Sequence, residues 1–332
     1  MSRRPRITDL PGVSIGHATD PDGVTGATAI LFAQPAVAGA DVRGGGAGTR
    51  TFAPLLGHHV VGRIDGVLFA GGSEYGLDAA GGVMRRLEER GQGFRTPAGV
   101  VPIVPTAILY DLGIGDPRRR PDVAMGYAAA SAACSEPPAH GSVGVGTGAT
   151  IGKLAGMDRA TKSGFGTACL AGPGGLLVGC AVAVNAVGDL LDPATGRRVA
   201  GTRVAPGSRA LADGDALLLA MPRAPDFGGL ANTTLACVIT NAALSREVLV
   251  HVAAHVHDGL ARVLSPVHTR FDGDLAIACS CGDVAAAPDA VAVLARRAAM
   301  HAVMEAVRSA TGVGGVPSAG ELGLVIPDPG AW

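Results

Sequence analysis

Short apolar runs closed by Gly, Pro, Asp or Asn recur along the chain, at Thr28 to Phe32, Gly66 to Ala70, Gly99 to Val104, Gly175 to Val184, Ala216 to Ala220 and Leu235 to Thr240. Runs of this length between turn-forming residues predict strands, and several are apolar on both faces, as strands covered by a layer on each side are. Helical periodicity lies between and after them. Ser73 is placed to cap a helix from Glu74 to Arg90 that stops at Gly91, and Ser245 to cap one running to Val263 with Glu247 in its first turn. The longest periodic segment, Pro288 to Ser309, sets Leu294, Met300, Val303 and Val307 near one stripe, with Arg296, Arg297 and Arg308 elsewhere on the helix. Strands followed by helices in both halves predict sheets flanked by helices. Asp192-Pro193-Ala194-Thr195-Gly196 is turn chemistry, and the Arg-, Pro- and Gly-rich stretch from Gly196 to Gly229 reads as an exposed connection, a flexible approach to Asn232 rather than a domain boundary.

Composition sharpens this picture. The 332 residues suffice for one large α/β body or two small ones; 48% are hydrophobic, 17% charged and only 3% aromatic, with 51 glycines. Such an interior packs small and β-branched side chains and brings backbones close, which predicts tight layers. A net charge of −1 offers no field for nucleic acid or an anionic membrane. Arg118-Arg119-Arg120, between Pro117 and Pro121, is the one dense basic cluster and reads as a solvated loop. The N-terminus is basic without a following apolar stretch, and the apolar segment from Gly174 to Val187 is short, so neither a signal peptide nor a membrane span is expected, and the chain reads as cytoplasmic. Six scattered cysteines then read as buried reduced thiols; Cys279-Ser280-Cys281 lacks the second pair that a metal site needs. His251 and His255 sit one helical turn apart without the internal Glu of a zinc helix and read, with His257, as a partly exposed helix face. The Gly-rich stretches Ser142 to Gly148 and Gly71-Gly72-Ser73 lack P-loop spacing and read as close-packed loops near the active site.

The chemically informative segment is Gly228-Gly229-Leu230-Ala231-Asn232-Thr233-Thr234, which opens the strand at Leu235. A Gly-rich approach, an Asn and then a Thr is what an internal autocleavage site requires. Thr233 Oγ can attack the Asn232 carbonyl in an N→O acyl shift, and hydrolysis of that ester frees the Thr233 amine. A neutral α-amine, with a reference pKa of about 7.7–8.0, is a base poised near working pH, so one residue supplies nucleophile and base. From residue types alone, an ordinary turn before a strand describes the same residues. Asn232-Thr233-Thr234 also spells a glycosylation acceptor, a reading the missing export signal disfavours.

The junction resembles that of the autoprocessing aminopeptidase family with the DmpA-like fold, which includes L-aminopeptidase/D-esterases, β-peptidyl aminopeptidases and nylon-oligomer hydrolases. It looks most like the nylon-oligomer branch, where Asn-Thr-Thr is followed by an alternating apolar strand ending in Thr-Asn, here Thr240-Asn241. Pro11 to His17, Thr25 to Thr28, Asp41 to Gly45 and Ala70 to Leu77 resemble other family segments in the expected order. The resemblance implies an α/β fold, a four-layer αββα sandwich of the Ntn-hydrolase-like kind, made jointly by fragments 1-232 and 233-332 of one domain. Several such αβ units are implied to associate as a homo-oligomer. Residue by residue, it implies that Lys153 stands beside the Thr233 nucleophile, that Asn185 donates its amide to the oxyanion, that Tyr110 lines the site and helps bind the oxyanion, and that Asp272 and Asp274 orient the Thr233 amine. No cofactor or metal is implied. The aminopeptidase branch has a Glu two residues before the Tyr, where this chain has Ile108, which disfavours a carboxylate there catching a substrate amine, although Glu74 can substitute. The implied activity is hydrolysis of a short peptide or linear amide; an aminopeptidase and an uncut, noncatalytic binding protein of the same fold are the competing readings.

Overall fold

The computed structural model describes residues 3–57, 59–221 and 232–328, so the glycines and Leu230-Ala231 before Asn232 lie outside the described residues. Eight strands carry the architecture: β1 (Val13–Asp20), β2 (Thr25–Val42), β3 (Arg63–Ala70), β4 (Thr106–Ile108), β5 (Phe165–Ala171), β6 (Leu177–Asn185), β7 (Thr233–Ala242) and β8 (Leu275–Val284). They join in the order β5-β6-β7-β8-β2-β3-β4, with β1 beside β2 and a two-residue strand, Thr49–Arg50, beyond β4. Neighbours are antiparallel except β7 with β8 and β3 with β4.

The long strand β2 is the joint of the molecule. Its first half pairs with β1 and β3, its last residues, Val37 to Val42, pair with β8, and the register to β3 shifts between Leu31 and Ala36. The chain therefore passes from one sheet into a second that folds over it. Alternation along each strand then fixes the layers. Ala181, Ala183, Leu235, Cys237, Ile239, Leu275 and Ile277 of one sheet share a buried core with Ile15, Ile30, Val67 and Phe69 of the other. The intervening residues face outward. Val182 and Val184, with Ala236 and Val238, meet the helices α4 (Arg246–Val263) and α5 (Pro288–Arg308), whereas Ala29, Leu31, Leu68 and Ala70 meet α1 (Ala79–Glu89) and α2 (Val123–Ser131). The result is helices, sheet, sheet, helices. Each fully buried Val, Leu or Ile contributes about 1.5–3 kcal/mol by leaving water.

Glycine sets the spacing of the outer layers. A Cβ on Gly126 of α2 would stand 1.8 Å from the Ala79 carbonyl oxygen, and one on Gly82 of α1 1.9 Å from that of Val123. The two helices touch through their backbones, as a chain poor in aromatics can arrange.

Several local expectations need correction. Ala216 to Leu219 belongs to a short helix, α3 (Gly214–Leu219), with Ala220 as its C-cap, because the Asp213 carboxylate accepts from the Ala216 N–H as an N-cap. The run at Gly99 to Val104 splits: Gly99–Val101 forms an outlying hairpin with Phe94–Thr96, and the strand that enters the main sheet is β4. Ser73 does not cap a helix. Gly72 and Ser73 take left-handed backbone angles, a 3-10 turn follows from Ser73 to Asp78, and α1 begins only at Ala79. Among the described residues no helix is long and apolar enough to cross a membrane.

Candidate active site

Thr233 opens β7 and Asn185 ends β6, and the antiparallel register sets the two directly opposite each other. Opposed residues share a face of the sheet, with Cβ atoms about 4.5–5.5 Å apart. Both are buried. The Asn185 Nδ2 donates to the Tyr110 backbone carbonyl at 2.8 Å, and its Oδ1 accepts from the Thr150 N–H at 3.0 Å and from Lys153 Nζ at 2.7 Å. Two donors on one side and a carbonyl on the other decide which way the amide faces. One Nδ2 hydrogen is taken up by Tyr110, and the second is left to donate elsewhere. Lys153 is held by a further bond, Nζ to the Asn185 carbonyl at 2.9 Å. Its burial lowers the pKa to about 7, against the upward pull of Asp272, Asp111 and Asp274.

The segment Phe271-Asp272-Gly273-Asp274 is strapped alongside Asn232. Asn232 N–H donates to the Phe271 carbonyl at 3.2 Å, and Gly273 N–H donates to the Asn232 carbonyl at 2.8 Å. Thr233 Oγ1 donates to that same carbonyl oxygen. A side chain at residue 273 would force its neighbours to shift, since a Cβ there would lie 2.7 Å from Thr233 Oγ1. Asp274 Oδ1 accepts from the Thr234 N–H at 2.6 Å; Oδ2 accepts from the His268 N–H at 3.1 Å and faces His268 Nδ1 at 2.8 Å. Asp272 Oδ2 accepts from Thr269 N–H and Oγ1 at 2.9 and 2.7 Å, while Oδ1 is buried with no hydrogen-bond partner among the described residues. Burial, helped by the neighbouring Asp274, pushes the Asp272 carboxyl up to about 6. The Gly-rich loop after β2 closes over the pair: Arg43 and Gly44 N–H donate to the Asp274 carbonyl, and Gly46 N–H to that of Asp272. Farther along this loop, a Cβ on Gly48 would meet Ile108 Cδ1 at 2.6 Å and Glu74 Oε2 at 2.9 Å, which sets the exposed Glu74 carboxylate beside Gly48 and Ile108.

Lys153, Asn185, Asn232, Thr233, Asp272 and Asp274 thus meet at one end of the sandwich. Tyr110 joins them through its backbone carbonyl. Against this geometry, the family model described as Peptidase family S58 matches residues 5–316. The chain belongs to that peptidase family. An uncharacterized aminopeptidase of Mycobacterium tuberculosis is 38% identical over 94% of this chain and 96% of its own length. A 6-aminohexanoate-oligomer endohydrolase of Kocuria sp. is 32% identical over 83% of this chain and 75% of its own. Among solved structures, the L-aminopeptidase D-Ala-esterase/amidase of Ochrobactrum anthropi, described as a variant of the Ntn hydrolase fold, superimposes with a TM-score of 0.72 at 20% identity, over 96% of this chain and 90% of that one. A Burkholderia sp. beta-aminopeptidase gives 0.68 at 23% identity, over 97% and 93%. The four layers are therefore those of an Ntn-hydrolase-type fold, and the chain is a member of a family of peptidases.

Two groups in this peptidase's site escape a reading of the sequence. The Gly273 N–H is a backbone donor and carries no signature beyond a glycine between two aspartates. His268 lies near Asp274 in the chain but in no recognisable motif. His251 and His255 face each other at 3.2 Å on the outer, partly exposed face of α4, as expected, whereas His257 turns inward and is buried, against expectation, because α4 lays that face on the sheets.

Proposed function

We propose that the chain cuts itself between Asn232 and Thr233 and that the mature protein hydrolyses linear amides with Thr233 as nucleophile. One observation carries this reading: the Asn232 carbonyl oxygen accepts from both Thr233 Oγ1 and the Gly273 N–H, so the hydroxyl and an oxyanion donor already converge on the bond to be cut. In the first step Oγ adds to the Asn232 carbonyl carbon, the C–N bond to Thr233 breaks, and the leaving amine takes the hydroxyl proton. Water then splits the ester, leaving fragment 1-232 with a C-terminal carboxylate and fragment 233-332 with a free threonine amine. In turnover that amine takes the Oγ proton, the substrate acyl group moves onto Oγ and its amine leaves, and water releases the acid.

The remaining residues prepare this chemistry. The second Nδ2 hydrogen of Asn185, which stands opposite Thr233, serves the oxyanion of the substrate step, and Lys153 pins the amide by holding its Oδ1. The open Oδ1 of Asp272 receives the newly freed amine. Short linear amides of the 6-aminohexanoate type, named for the Kocuria relative, are the substrate class of this reading.

Aminopeptidase action is the second reading, favoured by the mycobacterial relatives and by Glu74, whose exposed carboxylate beside Ile108 can pair with a substrate ammonium. Turnover of 6-aminohexanoate oligomers and of amino-acid p-nitroanilides by wild type and Glu74→Gln decides between them. A KM raised about twofold to fivefold in the variant, for p-nitroanilides with a free amine but not for N-acylated amides, marks an aminopeptidase. Cleavage of N-acylated amides at undiminished kcat/KM marks the linear-amide hydrolase, and absence of all amide turnover by fully cut protein overturns both.

A further inference from the structure

Behind the nucleophile lies a packed pair of imidazoles with no part in the steps above. His268 sits at a left-handed backbone position, φ 57°, and its Nδ1 faces Asp274 Oδ2 at 2.8 Å while its own N–H donates to the same oxygen. With Nδ1 against a carboxylate, that nitrogen carries the proton, and Nε2 is buried without a partner among the described residues. The ring of His257 closes edge-on over it, centroids 4.7 Å apart, with its own Nε2 3.2 Å from the Asp41 carbonyl oxygen. Burial keeps His257 neutral, its pKa lowered to about 4.

The pair Asp272 and Asp274 needs such a support. Two carboxylates flanking a single glycine in a common buried pocket repel each other, and an amine placed between two equivalent acceptors has no single orientation. The hydrogen bonds are not equivalent. Asp274 accepts on both oxygens, from Thr234 on one and twice from His268 on the other, whereas Asp272 accepts on Oδ2 alone and keeps Oδ1 open. We propose that His268 is a positioning residue that commits Asp274 to the Thr234 N–H and so leaves Asp272 as the single carboxylate that receives the Thr233 amine. His257, wedged against the imidazole, holds it in that pose. This inference rests on Thr233 being the nucleophile.

The test compares His268→Ala, which removes the donor, with His268→Asn, whose amide can stand where Nδ1 stands and whose residue type accepts a left-handed backbone. Self-cleavage rate, kcat, KM and the pH dependence of kcat/KM are measured for both, beside thermal melts. Loss of one charge-assisted donor predicts kcat down about tenfold to a hundredfold in the Ala variant with KM little changed, and an acid limb moved to higher pH by about one unit. The groups facing this cluster, Asp272, Lys153, His257 and Asp41, are the same in all three proteins, so the displacement reports the lost donor. The Asn variant recovers both the rate and the acid limb. Wild-type kinetics in His268→Ala, or equal impairment of the Asn and Ala variants with intact melts, overturns the proposal. A wild-type chain that does not cut itself or turn over amides sinks the underlying reading instead, which keeps the two failures apart.

Discussion

Gly273→Ala adds one methyl group at the tightest point of the site. Its Cβ would stand 2.7 Å from Thr233 Oγ1, where ordinary van der Waals contact begins at 3.4 Å, with the Gly46 carbonyl at 2.9 Å and Ala47 Cα at 3.2 Å also crowding it. The loop of residue 46 therefore blocks retreat, and the methyl can be seated only if Thr233 or the loop gives way by roughly 0.5–1 Å. Overpacking of that kind costs about 1–3 kcal/mol of stability, a few degrees in Tm for a domain this size. The kinetic cost is larger, since a displacement of about 1 Å at the reacting atoms costs on the order of a hundredfold. The shift also draws the Gly273 N–H from the Asn232 carbonyl. Self-cleavage of freshly produced protein, followed as fragment appearance on denaturing gels, should slow by about a hundredfold while the melt falls only slightly. Gly81→Ala on α1, whose Cβ would have only ordinary contact at 3.4 Å with Val123 Cγ2, is the control and should cut at the wild-type rate. Unaltered cleavage by Gly273→Ala, with Gly81→Ala also normal, would refute the placement of this glycine against the nucleophile.

Two further substitutions probe the buried lysines. Lys153→Met removes the ammonium that pins Asn185 Oδ1; steady-state assays of the purified variant should show kcat reduced by about a hundredfold to a thousandfold, while the fold persists because an apolar side chain of similar volume replaces a desolvated charge. Activity within twofold of wild type would remove Lys153 from the site. Lys162 is enclosed by the carbonyls of Gly146, Ala149 and Ser163, and burial lowers its pKa to about 7 from 10.5. Between those values the unfolded chain binds more protons than the folded one, so this lysine makes stability rise with pH across that window, by up to about 1.4 kcal/mol per unit. Denaturant melts at pH 7 to 10 should show wild type gaining on Lys162→Met; parallel curves would contradict the buried placement.

The sandwich was legible because strands covered on both faces leave unbroken apolar runs, and Gly175 to Val184 and Leu235 to Thr240 are such runs. The long joint β2 was legible only to Phe32. Gln34-Pro35 sits within β2 where the register to β3 shifts and no ladder hydrogen bond is needed from a proline. At Ala216 to Ala220 the run length suggested a strand, and the cap supplied by Asp213 decided for a helix. The site followed the same division. Side chains such as Asn185, Thr233 and Asp274 could be carried over one by one, and the β6–β7 register brings the first two together. The Gly273 N–H and the His268 imidazole could not, since a backbone donor has no side chain to read and a histidine that binds through tertiary structure leaves no spacing rule.

The most direct measurement is the intact mass of the purified protein and of Thr233→Ala under denaturing conditions. Self-cleavage at the Asn232-Thr233 bond gives two wild-type fragments, 1-232 and 233-332, with threonine as the new N-terminus, and one uncut chain for the variant. An uncut wild-type chain, a cut elsewhere, or the same cut in Thr233→Ala would contradict it.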